Sequence, residues 1–95
     1  MASTLFTYFV SLCIYSSMEK QRVQKLFGEG IYEVRMSKNL KQSDVAEKGR
    51  LDVTYVSDLE RGKYMPSLLT VLKLAKGLGV SPSELINTLQ DKDLG

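Results

Sequence analysis

The 95-residue chain has no histidine, no tryptophan and a single cysteine, Cys13. Without histidine there is no imidazole for acid–base work, no Ser-His or Cys-His nucleophilic pair and no Cys/His zinc site. One cysteine cannot close a disulfide within the chain, and it fits a reducing cytoplasm. No G-x-x-x-x-G-K-[ST] loop is present to cradle a phosphate, and the lone Gly28-Glu29-Gly30 is too short to serve. The reading is therefore a non-enzyme with no metal and no cofactor. Charge of one sign is also scarce. Thirteen basic residues against 11 acidic ones leave a net charge of +2, too small to mark a polyanion partner by itself. What remains, 43% hydrophobic and 25% charged, is the composition of a globular protein that buries a core. At this length it makes about one small domain.

All of the charge lies after Met18. Residues 1–18 form an apolar N-terminal extension and residues 19–95 a charged body. The apolar run Leu5 to Tyr15 falls well short of the ~20 residues that a membrane helix needs. No lysine or arginine precedes Lys20, and no A-x-A-like site follows the run, so a secretory signal is not expected. Three readings of the extension stay open: an extra strand or helix covering the core, an arm in a dimer interface, or an upstream addition to a body starting at Met18.

The periodicity of the body is helical. Phe27, Ile31 and Val34 share one face of a helix expected over 21–37, in which Gly28 and Gly30 should leave the start frayed or kinked. A short helix over 42–48 turns Val45 and Ala46 inward and ends at Gly49-Arg50. Asp52 caps a helix over 53–61 with Val56 and Leu59 three apart, and Gly62 stops it. Pro66-Ser67 opens a helix over 68–78, and Ser81-Pro82-Ser83-Glu84 opens a fifth over 82–89. In that last helix Leu85, Ile86 and Leu89 are divided between core and dimer surface. The expected fold is all-α, five helices joined by short loops.

The stretch that carries function runs from Gln42 to Lys63. Two short helices joined by a turn of about four residues, with small Ala46 at their crossing, have helix-turn-helix geometry. In such a unit the second helix lies in the DNA major groove while the first crosses the backbone. Gln42 through Ala46, then Leu51-Asp52-Val53-Thr54-Tyr55-Val56-Ser57-Asp58-Leu59-Glu60-Arg61-Gly62-Lys63, then Pro66-Ser67-Leu68 and Leu78-Gly79-Val80-Ser81, resemble the Cro/C1-type helix-turn-helix family of phage-repressor-like regulators. The resemblance covers about residues 27–89. The Leu-Asp-x-Thr-Tyr-Val-Ser wording is also similar to the controller proteins of restriction–modification systems. It implies a compact five-helix, lambda-repressor-like domain acting as a homodimer on a two-fold operator in double-stranded DNA.

Carried over by position, the resemblance places Gln42 on a backbone phosphate, at a helix N-terminus whose N–H groups suit an anion. It sets Val53, Thr54, Ser57 and Asp58 on the base-facing side of the recognition helix, about 53–61, with Tyr55 beside them to reach a phosphate or a base edge. Lys63 and Tyr64 match a backbone-contacting loop, and Arg35 and Glu60 match a buried structural ion pair. Thr54 and Ser57 suit base hydrogen bonds, Val53 a thymine methyl, and Asp58 a cytosine amino group or repulsion of phosphate. Two departures stand out. Arg50, preceded by Gly49, occupies the turn position usually held by glycine, at a positive-φ cost of about 1 kcal/mol unless the turn shifts by one residue. Val53 stands where controller proteins often have arginine, so a guanine-reading contact from that position is absent and no operator sequence transfers.

Between Lys38 and Lys63 six basic residues face five acidic ones. DNA affinity should then involve only ~4 to 6 phosphate contacts per subunit, each adding about −0.9 to the salt slope. One alternative is an antitoxin-like or regulatory module using the same fold to bind protein; it would be insensitive to changes at Thr54 and Ser57. The other is a membrane-tethered module resting on Leu5 to Tyr15, which fractionation into the aqueous phase would remove. No small-molecule effector is evident, and the expected setting is the cytoplasm.

Overall fold

The structure, a computed structural model, describes residues 2–90 and, of their side chains, those of 19–89. Its helices are α1 (Ala2–Ser37), α2 (Gln42–Gly49), α3 (Val53–Glu60), α4 (Leu68–Leu78) and α5 (Pro82–Gln90), with no strand among the described residues. Side-chain caps fix three helix starts. Asp52 Oδ1 accepts the Thr54 N–H at 2.7 Å, Ser67 Oγ the Thr70 N–H at 3.1 Å, and Ser81 Oγ the Glu84 N–H at 3.2 Å. Each satisfies a donor that the helix itself leaves open.

The core draws on every helix. Phe27 and Ile31 of α1 meet Val45 and Ala46 of α2, Val56 and Leu59 of α3, Leu74 and Leu78 of α4 and Leu85 of α5. Val34 and Leu89 are half-buried against this cluster, whereas Ile86 is exposed. Fully covering one such aliphatic side chain contributes ~1.5–3 kcal/mol. The helices pack in two chains of contact: α1 against α3 and α5, and α2 against α4 and α3, with α4 also meeting α5.

The N-terminal helix differs from expectation. It starts at Ala2 rather than near residue 21, so the boundary expected between residues 18 and 19 falls inside α1. The contacts expected of the extension, as core cover or dimer arm, lie outside the described side chains. Among the described residues no helix is long and apolar enough to cross a membrane.

Nor do Gly28 and Gly30 fray α1, which runs through both without a break. They are buried where other elements press close. A Cβ on Gly28 would lie 2.5 Å from the carbonyl oxygens of Leu59 and Glu60, and one on Gly30 would strike the Thr88 hydroxyl of α5. The α2–α4 crossing is built the same way: a Cβ on Gly49 would lie 2.6 Å from the Lys73 carbonyl, and one on Gly77 would meet the Val45 carbonyl. Glycine weakens a lone helix, but here it lets two backbones approach within reach of dispersion forces.

The α2–α3 turn does not shift. Arg50 takes the left-handed conformation (φ 57°, ψ 49°), and the Leu51 N–H reaches back to the Ala46 carbonyl at 2.8 Å. Gly49 cannot trade places with Arg50, because it is needed beneath Lys73. Two substitutions test this account by urea denaturation. Gly28→Ala, normally stabilising in a helix, should cost ~1–3 kcal/mol here because its methyl group meets carbonyl oxygens. Arg50→Gly should raise stability by ~0.5–1 kcal/mol by relieving the left-handed strain.

Candidate nucleic-acid interface

α3 is gripped at both ends. At its start the Asp52 cap orders the first turn, leaving Val53 45% exposed and Thr54 exposed, while Val56 and Leu59 are buried on the opposite face. At its end the Glu60 carboxylate receives two parallel hydrogen bonds from Arg35 of α1: Nε to Oε2 at 2.8 Å and Nη2 to Oε1 at 2.9 Å. Arg35 Nη1 donates to the Leu40 carbonyl at 2.9 Å, and the guanidinium carbon lies 5.4 Å from the centre of the Tyr32 ring. The two side chains are 11% and 6% exposed. This planar fork fixes the angle between α1 and α3 as well as their distance.

The hydrogen bonds that Arg35 donates to Glu60 raise the Arg35 pKa above its ordinary value, outweighing the opposing effect of burial. A base whose pKa rises on folding lends stability that is lost only as pH climbs through the folded value. Arginine already titrates far above neutrality, so the guanidinium stays charged across the whole working range of a protein.

After α3 the chain forms a second organised group. Asp58 Oδ1 accepts from Arg61 Nη2 at 2.6 Å and faces Lys63 Nζ at 3.6 Å. The Tyr55 ring, half-buried against the core, lies 5.9 Å from the Tyr64 ring at an interplanar angle of 43°. Gly62, at φ 74°, places its backbone against Lys25 of α1, and Gln24 Nε2 donates to the Lys63 carbonyl at 3.5 Å. The loop carrying Lys63 and Tyr64 is thus fastened to both α3 and α1.

The expected site residues therefore fall into three groups. Val53 and Thr54 stand exposed at the start of α3, with half-buried Ser57 one turn on. Gln42 is the first residue of α2 and is half-buried; the preceding Lys41 N–H donates to Asp44 Oδ2 at 2.9 Å. Tyr55, Asp58, Lys63 and Tyr64 form the third group. The Asp58 side chain is 16% exposed and its carboxylate faces two cations of its own chain, Arg61 and Lys63. Sequence reasoning missed Gln24 and the loop-fixing use of Arg61. The i,i+3 spacing of Asp58 and Arg61 was a usable signal, whereas nothing local links Gln24 to a carbonyl 39 residues away. Among the described residues no group of three or more acidic, cysteine or histidine side chains is placed to hold a metal.

Glu60→Ala should cost about 3 kcal/mol, because it strands a largely buried guanidinium without its partner. Glu60→Gln should cost less, since one amide oxygen still accepts from Arg35. Thermal melting of the three proteins checks the order, and an unchanged midpoint for Glu60→Ala would contradict the ion pair's role.

A family model described as helix-turn-helix matches residues 31–85. The chain is 39% identical over 66 residues to control protein C.BamHI of Bacillus amyloliquefaciens, a match spanning 68% of this chain and 82% of that one. It is 34% identical over 73 residues to an HTH-type transcriptional regulator of Sinorhizobium fredii, spanning 77% and 95% of the two chains. Among solved structures, the restriction-modification controller protein C.AhdI of Aeromonas hydrophila superposes with a TM-score of 0.63 at 40% identity, covering 65% of this chain and 94% of that one. The matched segment contains α2, the turn at Arg50, α3 and the Arg35–Glu60 fork that positions it. The chain belongs to the helix-turn-helix family of the Cro/C1 type.

Proposed function

We propose that this protein is a cytoplasmic transcriptional regulator that binds double-stranded DNA sequence-specifically, as a homodimer on a two-fold operator. The observation that carries the reading is the clamped recognition helix. α3 is held by the Arg35–Glu60 fork at its end and the Asp52 cap at its start, yet leaves Val53 and Thr54 free of the protein. A major groove ~12 Å wide admits such a helix, and a helix fixed at both ends loses little freedom on entering it. Thr54 and Ser57 supply hydrogen bonds to base edges and Val53 an apolar contact. Gln42, at the N-terminus of α2, and Lys63 and Tyr64, in the tethered loop, supply contacts to phosphates on either side. Tyr55 supports Tyr64 by packing against its ring.

The dimer finds support in exposed apolar side chains of α4 and α5. Leu68, Leu69 and Leu72 of α4 are 76%, 60% and 46% exposed, and Ile86 of α5 is 42% exposed. An exposed apolar group of this kind marks an association surface. Two copies joined there would present two recognition helices to half-sites ~34 Å apart. The identity to C.AhdI and C.BamHI supports control of a restriction–modification gene pair as the biological setting. The same apolar face is the observation favouring a regulatory module that binds a different protein.

Selection from a random duplex pool at about 150 mM salt tests the proposal, because weaker salt would let sequence-independent binding dominate. Recovery of an inverted repeat is expected. Thr54→Ala combined with Ser57→Ala should melt like the parent protein and lose discrimination at the affected base pairs by roughly tenfold or more, in line with ~1–3 kcal/mol per lost contact. No enriched sequence, from folded protein, would move the assignment to the protein-binding module.

A further inference from the structure

Asp58 is a half-buried acidic residue of α3 whose two partners are cations: Arg61, which ends the helix, and Lys63, in the loop proposed to face DNA. Its Oδ1 atom lies 2.6 Å from Arg61 Nη2 and 3.6 Å from Lys63 Nζ. Arg61 and Lys63 are themselves 58% and 53% exposed, so water and counterions reach both cations while the 16%-exposed carboxylate stays in place between them. The backbone beneath is fixed too. The Lys63 N–H bonds to the Asp58 carbonyl at 3.0 Å, and the Lys63 carbonyl accepts from Gln24. The pairing is thus built into the end of α3.

A phosphate approaching this loop meets cations already engaged. Sequence-independent affinity rises with each phosphate that a lysine or arginine neutralises, and each such contact adds about −0.9 to the slope of log affinity against log salt. A carboxylate that holds two cations lowers both quantities for DNA of any sequence. We propose that Asp58 is a specificity-setting residue that never meets a base: it competes with the DNA backbone for Arg61 and Lys63, and so holds down sequence-independent binding. The proposal rests on the DNA-binding reading above. It assigns Asp58 a role opposite in kind to base recognition, because it acts through two neighbouring side chains on the backbone term alone.

The test compares the parent protein with Asp58→Asn and Asp58→Ala on a random-sequence duplex and on the selected operator, with affinity measured between 50 and 200 mM salt. Both variants should bind the random duplex several-fold more tightly, with a slope steeper by ~1 to 2, the value for one or two regained phosphate contacts. The preferred base at each operator position should stay unchanged. Glu47→Gln, which makes the same charge change at an exposed position of α2, should leave the slope alone. Adding Arg61→Gln and Lys63→Gln to Asp58→Asn should remove the steepening. An unaltered slope, an altered base preference at one position, or weaker binding to random DNA by a variant that melts normally would each overturn the proposal. Failure of the parent protein to bind any duplex would instead refute the DNA-binding reading, and the role of Asp58 with it.

Discussion

The Arg35–Glu60 fork is the constraint on which the candidate interface depends. α3 is only eight residues long, too short to persist alone in water, and it buries just Val56 and Leu59. Apolar contact from these two residues, with half-buried Tyr55 beside them, holds a helix against a core but does not fix its rotation. Two parallel hydrogen bonds between planar groups do, because sliding or twisting α3 on α1 breaks one of them. Lysine in place of Arg35 would keep the charge and lose this directional control. The third donor, from Arg35 Nη1 to the Leu40 carbonyl, ties the same guanidinium to the segment leading into α2. One side chain therefore sets both helices of the recognition unit relative to α1.

Backbone proximity is the second requirement, and it explains which parts of the fold were legible in the sequence. The starts of α3, α4 and α5 were readable because Asp52, Ser67 and Ser81 act on N–H groups two or three residues away. The inward faces were readable from the spacing of Phe27 and Ile31, or Val56 and Leu59, because helical geometry alone decides them. The meaning of Gly28 and Gly30 was not readable. Read locally, each glycine weakens a helix; in the fold each marks a place where another chain segment leaves no room for a methyl group. That information belongs to pairs of residues far apart in sequence. The length of α1 escaped for a related reason: an uncharged stretch without caps gives no internal signal of where a helix begins.

The candidate site shows the same division. Residue types in the stretch Gln42 to Lys63 were enough to locate a helix-turn-helix, and the exposed start of α3 is where that pattern put it. What single positions do within the site depended on partners. Tyr55 and Asp58 both sit on α3 at half-buried positions, each immediately before a buried residue, and the sequence placed Asp58 on the outward side with Tyr55 beside it. The structure packs Tyr55 between the core and Tyr64, and turns Asp58 to Arg61 and Lys63. Helical periodicity resolves a face to roughly a quarter of a turn, and residues at its margin are decided by whichever neighbour offers the better contact.

These details bear on how a protein with so little excess charge would recognise DNA at all. Thr54, Ser57 and Val53 are short side chains, and none can make the two-pronged contact with a base that arginine, asparagine or glutamine makes. On the proposed reading each half-site would be read weakly. Discrimination against a genome of competing sites would then have to come from duplication, with two half-sites adding their free energies across the proposed dimer, and from a low background of backbone attraction. A strongly basic surface would undercut the second condition by binding every sequence. The near balance of 13 basic and 11 acidic residues would serve it. On this view the acidic residues around the recognition helix are part of how specificity is achieved, and rigid presentation of α3 compensates for the modest reach of the side chains it carries.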